Sequence, residues 1–309
     1  MAASKSPPKW AGFRSVLCPI DFSEHSRRAL RFAEAMALKG RAAITVTYAN
    51  DPLLVAAAAA ALHDRTVAKR SLAELQTFAE ETLTADRKGL RLTCRVSVGS
   101  PSDEIVKTAT RLRSDLIVMG THGLTGADRL LMGSTTMSVL QRTNVPVLAI
   151  PRLDGPAGSP GASWPGGRIL APLELDGGSG REIEVAARLA RWFGSQLLAL
   201  HIVGHVGAPA WLLGDLSAHD RIRLARAQQE IDALAAIARR FVRTEARVVS
   251  GVIADEIAAV AAGEKIELLV TALRDRRGWF GARRGSVSYH VLAHAVAPVL
   301  AYPQPWRPR

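Results

Sequence analysis

The stretch DLIVMGTHGLTGADRLLMGSTT (115–136) joins an apolar run to a glycine-rich loop and then to a segment of helical character. The run DLIVM has the composition of a buried strand. Glycines at 120, 123 and 133 let backbone amides approach an anion closely, and the hydroxyl residues after Gly133 begin a helix whose N-terminus favours negative charge. The pattern predicts a cradle for a phosphate chain at the end of a strand, although a glycine pair alone could simply make the turn.

Four further short apolar runs surround this stretch in the first half of the chain. They are SVLCPID (15–21), AAITVTYAN (42–50), LRLTCRVSVG (90–99) and PVLAIP (146–151). The segments between successive runs are long enough for helices. Near-continuous apolar strands that alternate with helices predict a parallel sheet covered on both faces.

The second half repeats this order of elements about 152 positions later. Pro19 corresponds to Pro172, Gly99 to Gly251, Gly133 to Gly285 and Pro146 to Pro298, while Glu104 corresponds to Asp255 or Glu256. The runs of the second half are GRILAPLE (167–174), SQLLALHIV (195–203), EARVVSG (245–251), IELLVTAL (266–273) and PVLAYP (298–303). A repeat of this length is a whole duplicated domain rather than a solenoid unit.

The predicted fold class is therefore α/β, with two tandem Rossmann-like domains. Each is an open five-stranded parallel sheet with helices on both faces. The first domain spans 12–152 and the second 167–304, and a linker rich in Pro, Gly and Ser covers 153–166. Such a composition has weak helix and strand preference, which places the boundary there.

Bulk composition limits the surroundings and partners of the protein. The 40 Lys and Arg residues exceed the 28 Asp and Glu residues, giving a net charge of +12, and a basic surface attracts nucleotides, nucleic acid or anionic membranes without discriminating among them. Cys18 and Cys94 lie in apolar runs without metal-ligand spacing, so we expect free thiols in a reducing compartment. No apolar stretch approaches the roughly 20 residues that span a bilayer, so we expect a cytoplasmic protein with no membrane partner.

The motifs together resemble the universal stress protein family. The similarity rests on the spacing Gly120, Gly123, Gly133-Ser134, on PID (19–21), on VGSPSDEI (98–105) and on NVPVLAIP (144–151), and it runs in two copies from about Val16 to Pro303. It implies the adenine nucleotide alpha hydrolase-like form of the fold, with strand order 3-2-1-4-5. It also implies ATP across the carboxyl ends of the strands, where open α/β sheets generally bind ligands.

The resemblance implies a set of ATP contacts in the first domain. Asp21 matches the acid that holds adenine or ribose, although it could equally be the N-cap of the next helix, a role for which Ser23 competes. Pro19 and Ala49 fall beside the base, and Ala49 replaces a larger aliphatic residue. The remaining contacts are Met119, Gly120, His122, Gly123, Gly133, Ser134 and Thr135. We predict no catalytic residue and no metal ligand, so that any Mg²⁺ arrives with the nucleotide; His122 has no obvious carboxylate partner.

The second domain departs from the pattern at the same positions. Glu174 stands for Asp21, Ala272 for Gly120 and Asp275 for Gly123, while Gly285 and Ser286 persist. A carboxylate in place of a glycine both blocks the approach of the backbone and repels phosphate. We therefore predict that the second domain binds ATP weakly or not at all.

The predicted function is that of an ATP-binding stress-response protein, in which the nucleotide regulates stability or partner interactions. One alternative is a slow ATPase or nucleotidyl-cleaving enzyme, because the wider superfamily includes enzymes that cut between the α- and β-phosphates. Another is a dimerising interaction protein that binds no nucleotide.

The predicted partners are ATP, an unidentified protein, and a second copy of the domain. That copy could belong to a homodimer or to an intrachain pseudo-dimer in which PVLAIP and PVLAYP pair. The loop RDRRGWFGARRGS (274–286) surrounds Trp279 and Phe280 with arginines, which would suit single-stranded nucleic acid, although the aromatic pair could equally pack on the other domain. The alanine-rich run at 55–64 is predicted as a helix that packs or acts as a lid.

Overall fold

The computed structural model describes residues 10–61, 66–84, 89–121, 132–152, 159–161, 163–204, 213–273 and 287–308. Its strands are β1 (Ser15–Pro19), β2 (Ala43–Asn50), β3 (Arg91–Val98), β4 (Leu116–Gly120), β5 (Val147–Ile150), β6 (Arg168–Pro172), β7 (Gln196–Val203), β8 (Thr244–Ser250), β9 (Ile266–Leu273) and β10 (Val299–Pro303). Its helices are α1 (Glu24–Gly40), α2 (Pro52–Ala61), α3 (Val67–Thr82), α4 (Pro101–Arg111), α5 (Ser134–Arg142), α6 (Ser179–Phe193), α7 (Leu213–Ala238), α8 (Ile253–Gly263) and α9 (Val287–Ala293). Every apolar run of the sequence contains one of these strands.

All ten strands form one sheet, in the order β3-β2-β1-β4-β5-β10-β9-β6-β7-β8. We call residues 10–152 the first lobe and 167–308 the second lobe. Each lobe has the order implied by the family resemblance, and within each lobe the neighbouring strands are parallel. The lobes join where β5 and β10 pair antiparallel, with Leu300 opposite Leu148. This pairing confirms the prediction that PVLAIP and PVLAYP meet within one chain.

Alternation along the strands separates two hydrophobic cores. In β1, Val16 and Cys18 face the core beneath α1, α3, α6 and α7, whereas Leu17 faces the core beneath α4, α5, α8 and α9. We call these two sides the α1/α6 face and the α4/α5 face. Because helices cover both faces of the sheet, the strand sequences are continuous apolar runs and do not alternate between apolar and polar residues. The described cysteines, Cys18 and Cys94, are free thiols as predicted, and burial raises the pKa of each.

Helix α2 confirms the helix predicted near 55, with its start at Pro52. Leu53 and Leu54 are nevertheless exposed, so they contribute nothing to either core. Among the described residues no helix combines the length and the apolar composition needed to cross a bilayer.

Both lobes anchor their first strand in the same way. The Asp115 carboxylate accepts hydrogen bonds from the backbone N–H groups of Arg14 (2.8 Å) and Ser15 (2.9 Å). In the second lobe, Glu267 accepts from the N–H groups of Gly166 (2.9 Å) and Gly167 (3.3 Å). Burial raises the pKa of Asp115, while these backbone donors oppose the shift. Both copies therefore keep a carboxylate that links β1 to β4 in the first lobe and β6 to β9 in the second.

A second duplicated contact settles the register of the repeat. A Cβ atom on Gly99 would lie 2.9 Å from Cγ of Glu104, and one on Gly251 would lie 2.3 Å from Oε1 of Glu256. At either glycine a side chain would force the neighbouring glutamate to move. Glu256, and not Asp255, is thus the counterpart of Glu104.

Aromatic rings seal the two lobes together on the α1/α6 face. The Trp10 ring lies 5.0 Å from that of Trp192 and 6.2 Å from that of Trp306, and Phe13 stacks on Trp306 at 6.1 Å. From the linker, Trp164 packs edge-on against Phe32 of α1 and donates from Nε1 to the Glu267 carbonyl. Each such ring pair contributes about 0.5–1.5 kcal/mol beyond the area it buries.

Candidate functional site

A cavity of about 180 Å³ opens at the carboxyl ends of β1 and β4 in the first lobe. Strand order reverses at β1, whose two neighbours are β2 and β4, and this is the switch point where open parallel sheets place their ligands. The cavity is lined by residues from β1, β4 and the starts of three helices: Pro19, Ile20, Asp21, Ser26, Pro101, Ile105, Met119, Gly120, Gly133, Ser134, Thr135 and Thr136.

Seven of the ten residues predicted to contact ATP line this cavity: Pro19, Asp21, Met119, Gly120, Gly133, Ser134 and Thr135. Ala49 lies on β2 opposite Ser97 and is not among the lining residues. His122 and Gly123 lie outside the described residues. The structure adds five residues to the predicted set: Ile20, Ser26, Pro101, Ile105 and Thr136. All but Ser26 lie within the motifs quoted above, whereas Ser26 reaches the cavity because it lies in the first turn of α1.

The Asp21 carboxylate stands at the mouth of the cavity with one oxygen occupied. Its Oδ1 accepts hydrogen bonds from Ser23 N (3.0 Å) and Ser23 Oγ (2.5 Å). Ser23 caps α1, because its Oγ accepts from Ser26 N at 3.2 Å. Asp21 is therefore not the N-cap. Its Oδ2 accepts no hydrogen bond from the described part of the chain, and a carboxylate oxygen of this kind can accept from a ribose hydroxyl or a base amine.

The glycine-rich loop is closed at its two ends by hydrogen bonds. Gly133 N donates to the Thr121 carbonyl at 2.7 Å, and Thr136 Oγ1 donates to the Gly120 carbonyl at 2.8 Å. Helix α5 starts at Ser134, and its first backbone N–H groups have no intrahelical acceptor. Those N–H groups, the helix dipole and the hydroxyls of Ser134 and Thr135 together form an anion-binding surface on the cavity wall.

These groups fit an adenine nucleotide in chemistry and only partly in size. The cavity wall offers a carboxylate acceptor from Asp21, N–H and hydroxyl donors from the start of α5, and apolar contacts from Pro19 and Met119. Its volume is below the roughly 300–1,000 Å³ of most small-molecule pockets, so the described walls would enclose only part of a nucleotide. The described residues contain no group of three or more His, Cys, Asp or Glu that could hold a metal ion.

The second lobe repeats the backbone hydrogen bonds around this site, but one of its own carboxylates binds to the helix beside it. Leu173 N donates to Leu200 O as Ile20 N donates to Thr47 O, both at 2.8 Å, so Glu174 occupies the position of Asp21. Its Oε1 accepts from Val287 N, the first residue of α9, at 3.1 Å.

The contact that ties the loop to the helix is also repeated, because Ser288 Oγ donates to the Ala272 carbonyl. Asp275, Gly285 and Ser286 lie outside the described residues. In the second lobe a protein carboxylate thus accepts from α9, whereas no described carboxylate accepts from the start of α5 in the first lobe.

Two halves with the same strand order, joined in one ten-stranded sheet and with a cavity at the switch point of the first half, define a tandem Rossmann-like α/β protein. The model of the universal stress protein family matches residues 12–151 and 167–303, which correspond to the two lobes. The chain belongs to this family.

Individual relatives resemble either one lobe or the whole chain. The universal stress protein MJ0577 of Methanocaldococcus jannaschii is 29% identical over 163 residues, covering 45% of this chain and 96% of that protein. A universal stress protein of Thermus aquaticus is 28% identical, covering 45% and 98%. The crystal structure of a universal stress protein from Archaeoglobus fulgidus superimposes with a TM-score of 0.62 at 20% identity and covers 94% of this chain and 98% of its own, which shows a shared tandem fold.

Proposed function

We propose that the first lobe binds ATP, and that the bound nucleotide regulates the stability of the protein or its interaction with a partner. The convergence of Asp21, Gly120, Gly133 and the start of α5 on one switch-point cavity carries the proposal. Adenine and ribose would lie toward Asp21 and Pro19, and the phosphates toward Ser134 and Thr135. Mg²⁺ would arrive with the phosphates and neutralise part of their charge.

We infer binding rather than rapid turnover from the groups that face the cavity. Asp21 is its only lining carboxylate among the described residues, and that carboxylate is hydrogen-bonded to Ser23, whose Oγ caps α1. A general base must reach the proton that it removes, and efficient phosphoryl transfer also needs charged groups positioned around the transferred phosphoryl group.

The cytoplasmic location of the protein stays a prediction.

Calorimetric titration of nucleotide-stripped protein with Mg-ATP tests the proposal, and we expect one site per chain. In the matched variant Gly133→Asp, a carboxylate replaces the glycine at the start of α5. Asp is a favoured N-cap, so the helix should remain, whereas repulsion between charges about 4 Å apart costs about 4 kcal/mol at an effective dielectric constant near 20. We expect binding to weaken by at least about 100-fold.

Gly177→Asp is the control, because it adds the same charge at a position with open space around it. It should bind ATP as the wild type does. At 100 times the dissociation constant, ATP should stabilise the wild type by about 2.7 kcal/mol in a parallel melting experiment. Absence of binding by the wild type would refute the proposal, and two sites per chain would refute its restriction to the first lobe.

A further inference from the structure

Three neighbouring cavities cross the α1/α6 face and involve both lobes. Their volumes are about 740, 350 and 460 Å³. Lys39 lines the first and the second cavity, and Arg188 lines the second and the third, so the three cavities are adjacent, and we call them together the groove. None of their lining residues lines the cavity proposed for ATP.

The groove has an excess of positive charge that is not neutralised by its own acids. Its two described acidic residues are already engaged: Glu34 accepts hydrogen bonds from Thr84 N and Oγ1, and Glu184 pairs with Arg188. Against them stand six cations: Arg31, Lys39, Arg181, Arg188, Arg191 and Arg307. Arg191, which is half-buried, forms no ion pair within the described part of the chain. A surface of this charge attracts polyanions.

Aromatic rings and cations alternate in the middle cavity. Trp10, Trp192 and Phe241 line it, and each of these residues is half-buried. The Arg188 guanidinium lies over the Phe241 ring at 5.1 Å, and Lys39 Nζ lies 5.8 Å from the centre of the Trp192 ring. Cations held over or beside flat rings combine phosphate neutralisation with a stacking surface.

We propose that this groove binds single-stranded nucleic acid. The cations at Lys39, Arg188 and Arg191 would contact successive phosphates, and an unpaired base would stack at the Trp10–Trp192 pair. An acidic peptide would use the same cations but would leave the rings without a matching flat group. A base in a duplex is stacked on its neighbours and could not enter a cavity of this kind.

The test is fluorescence anisotropy with a labelled oligonucleotide of about 12 nucleotides, which is within the range bound by single-strand proteins. Arg191→Glu should weaken binding by at least about 5-fold and should reduce the salt dependence by about one phosphate contact. Arg111→Glu is the matched control, because it makes the same charge change at an exposed residue of α4, on the opposite face. Its affinity should stay within about 2-fold of the wild type.

Trp10→Ala tests the stacking contribution, and we expect binding about 5-fold weaker or more. Thermal melting shows whether the variant folds, and Trp10→Leu replaces it if it does not, because leucine keeps an apolar side chain but has no flat ring. Equal affinity of Arg191→Glu and Arg111→Glu, or no binding by the wild type, would overturn the proposal. Tighter binding of polyglutamate than of the oligonucleotide would identify an acidic protein partner instead, and so would also overturn it.

Titration of Arg191→Glu with Mg-ATP separates this proposal from the proposed function. The variant should retain the wild-type affinity for ATP, because Arg191 does not line the first-lobe cavity. Loss of oligonucleotide binding together with normal ATP binding would support the groove.

Discussion

Asp21 in the first lobe and Glu174 in the second occupy equivalent positions after equivalent strands, and the two carboxylates have different partners. Asp21 turns back to Ser23 at the start of α1 and leaves the start of α5 open. Glu174 is one methylene longer and accepts from the N–H of Val287, the first described residue of α9. In the second lobe the protein's own carboxylate thus accepts from an N–H of the helix that corresponds to α5.

The surrounding frame hardly differs between the lobes. The ties made by Asp115 and Glu267, and those made by Thr136 and Ser288, hold the same elements together in both. Their backbone partners are dictated by the sheet, so these contacts serve folding whichever ligand is bound. At this site the contacts that differ between the lobes therefore involve Asp21 and Glu174, which follow the first strand of each lobe.

The largest change in the free energy of unfolding is expected where β5 pairs with β10. At this junction, substitutions in either lobe should have the same effect. Leu148 and Leu300 face each other across β5 and β10 and are 1% and 0% exposed. Replacement of either by Ala should lower the free energy of unfolding by about 2–5 kcal/mol, through lost burial and a residual cavity. Because each side chain packs in a core shared by both lobes, we expect urea unfolding to show one transition in tryptophan fluorescence and in circular dichroism.

Leu53→Ala is the control for this pair, because Leu53 is 79% exposed on α2. It should change the free energy of unfolding by less than about 0.5 kcal/mol. Two separated transitions in the Leu300→Ala protein would show that the lobes unfold independently.

Substitutions of Asp21 and Glu174 should have effects of intermediate size on two different properties, ATP affinity for Asp21 and stability for Glu174. Asp21→Ala should weaken ATP binding about 10-fold or more, because a hydrogen bond to a charged group contributes about 1.5–3 kcal/mol. Glu174→Ala should leave ATP binding unchanged and lower stability by about 1 kcal/mol, as the loss of a helix cap does. Calorimetry and urea unfolding of both variants measure the two properties.

Conservative variants sharpen this second comparison. Glu174→Gln keeps an oxygen acceptor for Val287 N and should recover most of the stability that Glu174→Ala loses. If Glu174→Ala instead weakened ATP binding as strongly as Asp21→Ala, the assignment of the nucleotide to the first lobe would be wrong.

The smallest effect concerns an ion-pair network that only the second lobe has at this position. Glu264, which corresponds to Leu112, pairs with Arg247 at 2.6 Å and also with Arg168. The hydrogen bond and charge of Arg247, aided by Arg168, hold the pKa of Glu264 below its ordinary value of 4.5. Because the pKa is lower in the folded state, the stabilisation is complete above about pH 4.5 and is lost as pH falls through the folded-state pKa.

Urea unfolding of the wild type and Glu264→Gln should therefore differ at pH 7 and converge in acid. Glu230→Gln removes one partner of the exposed Arg226–Glu230 pair and serves as the control, with a small change at every pH. A difference between wild type and Glu264→Gln that grew on acidification would contradict the sign of this prediction.

The fold could be predicted from the sequence because it depends on local patterns of residues. Each strand is an apolar run such as IELLVTAL, and the repeat of Gly99 and Gly251 at a constant offset aligned the two lobes before any contact was known. The same patterns located Asp21 and the glycines that flank the loop. In these cases the determining residues are close together in sequence or recur at one spacing.

Contacts between distant side chains were not accessible in the same way. The hydrogen bond from Val287 to Glu174 joins residues 113 positions apart, and its existence depends on the length of one side chain. Trp10, Trp192 and Trp306 meet although each lies in an unremarkable local context. Whether such residues meet is decided by the packing of α1 and α6 across the lobe boundary, which no local pattern encodes.

The antiparallel pairing of β5 with β10 has a consequence for dilution and for divergence. Two separate copies joined by such strands would come apart at low concentration, whereas a tethered copy keeps an effective concentration set by the connection between them. The association is then independent of how much protein a cell makes. Because the two lobes belong to one chain, neither has to pair with an identical copy of itself. One lobe can therefore change its ligand-facing residues while the other keeps them.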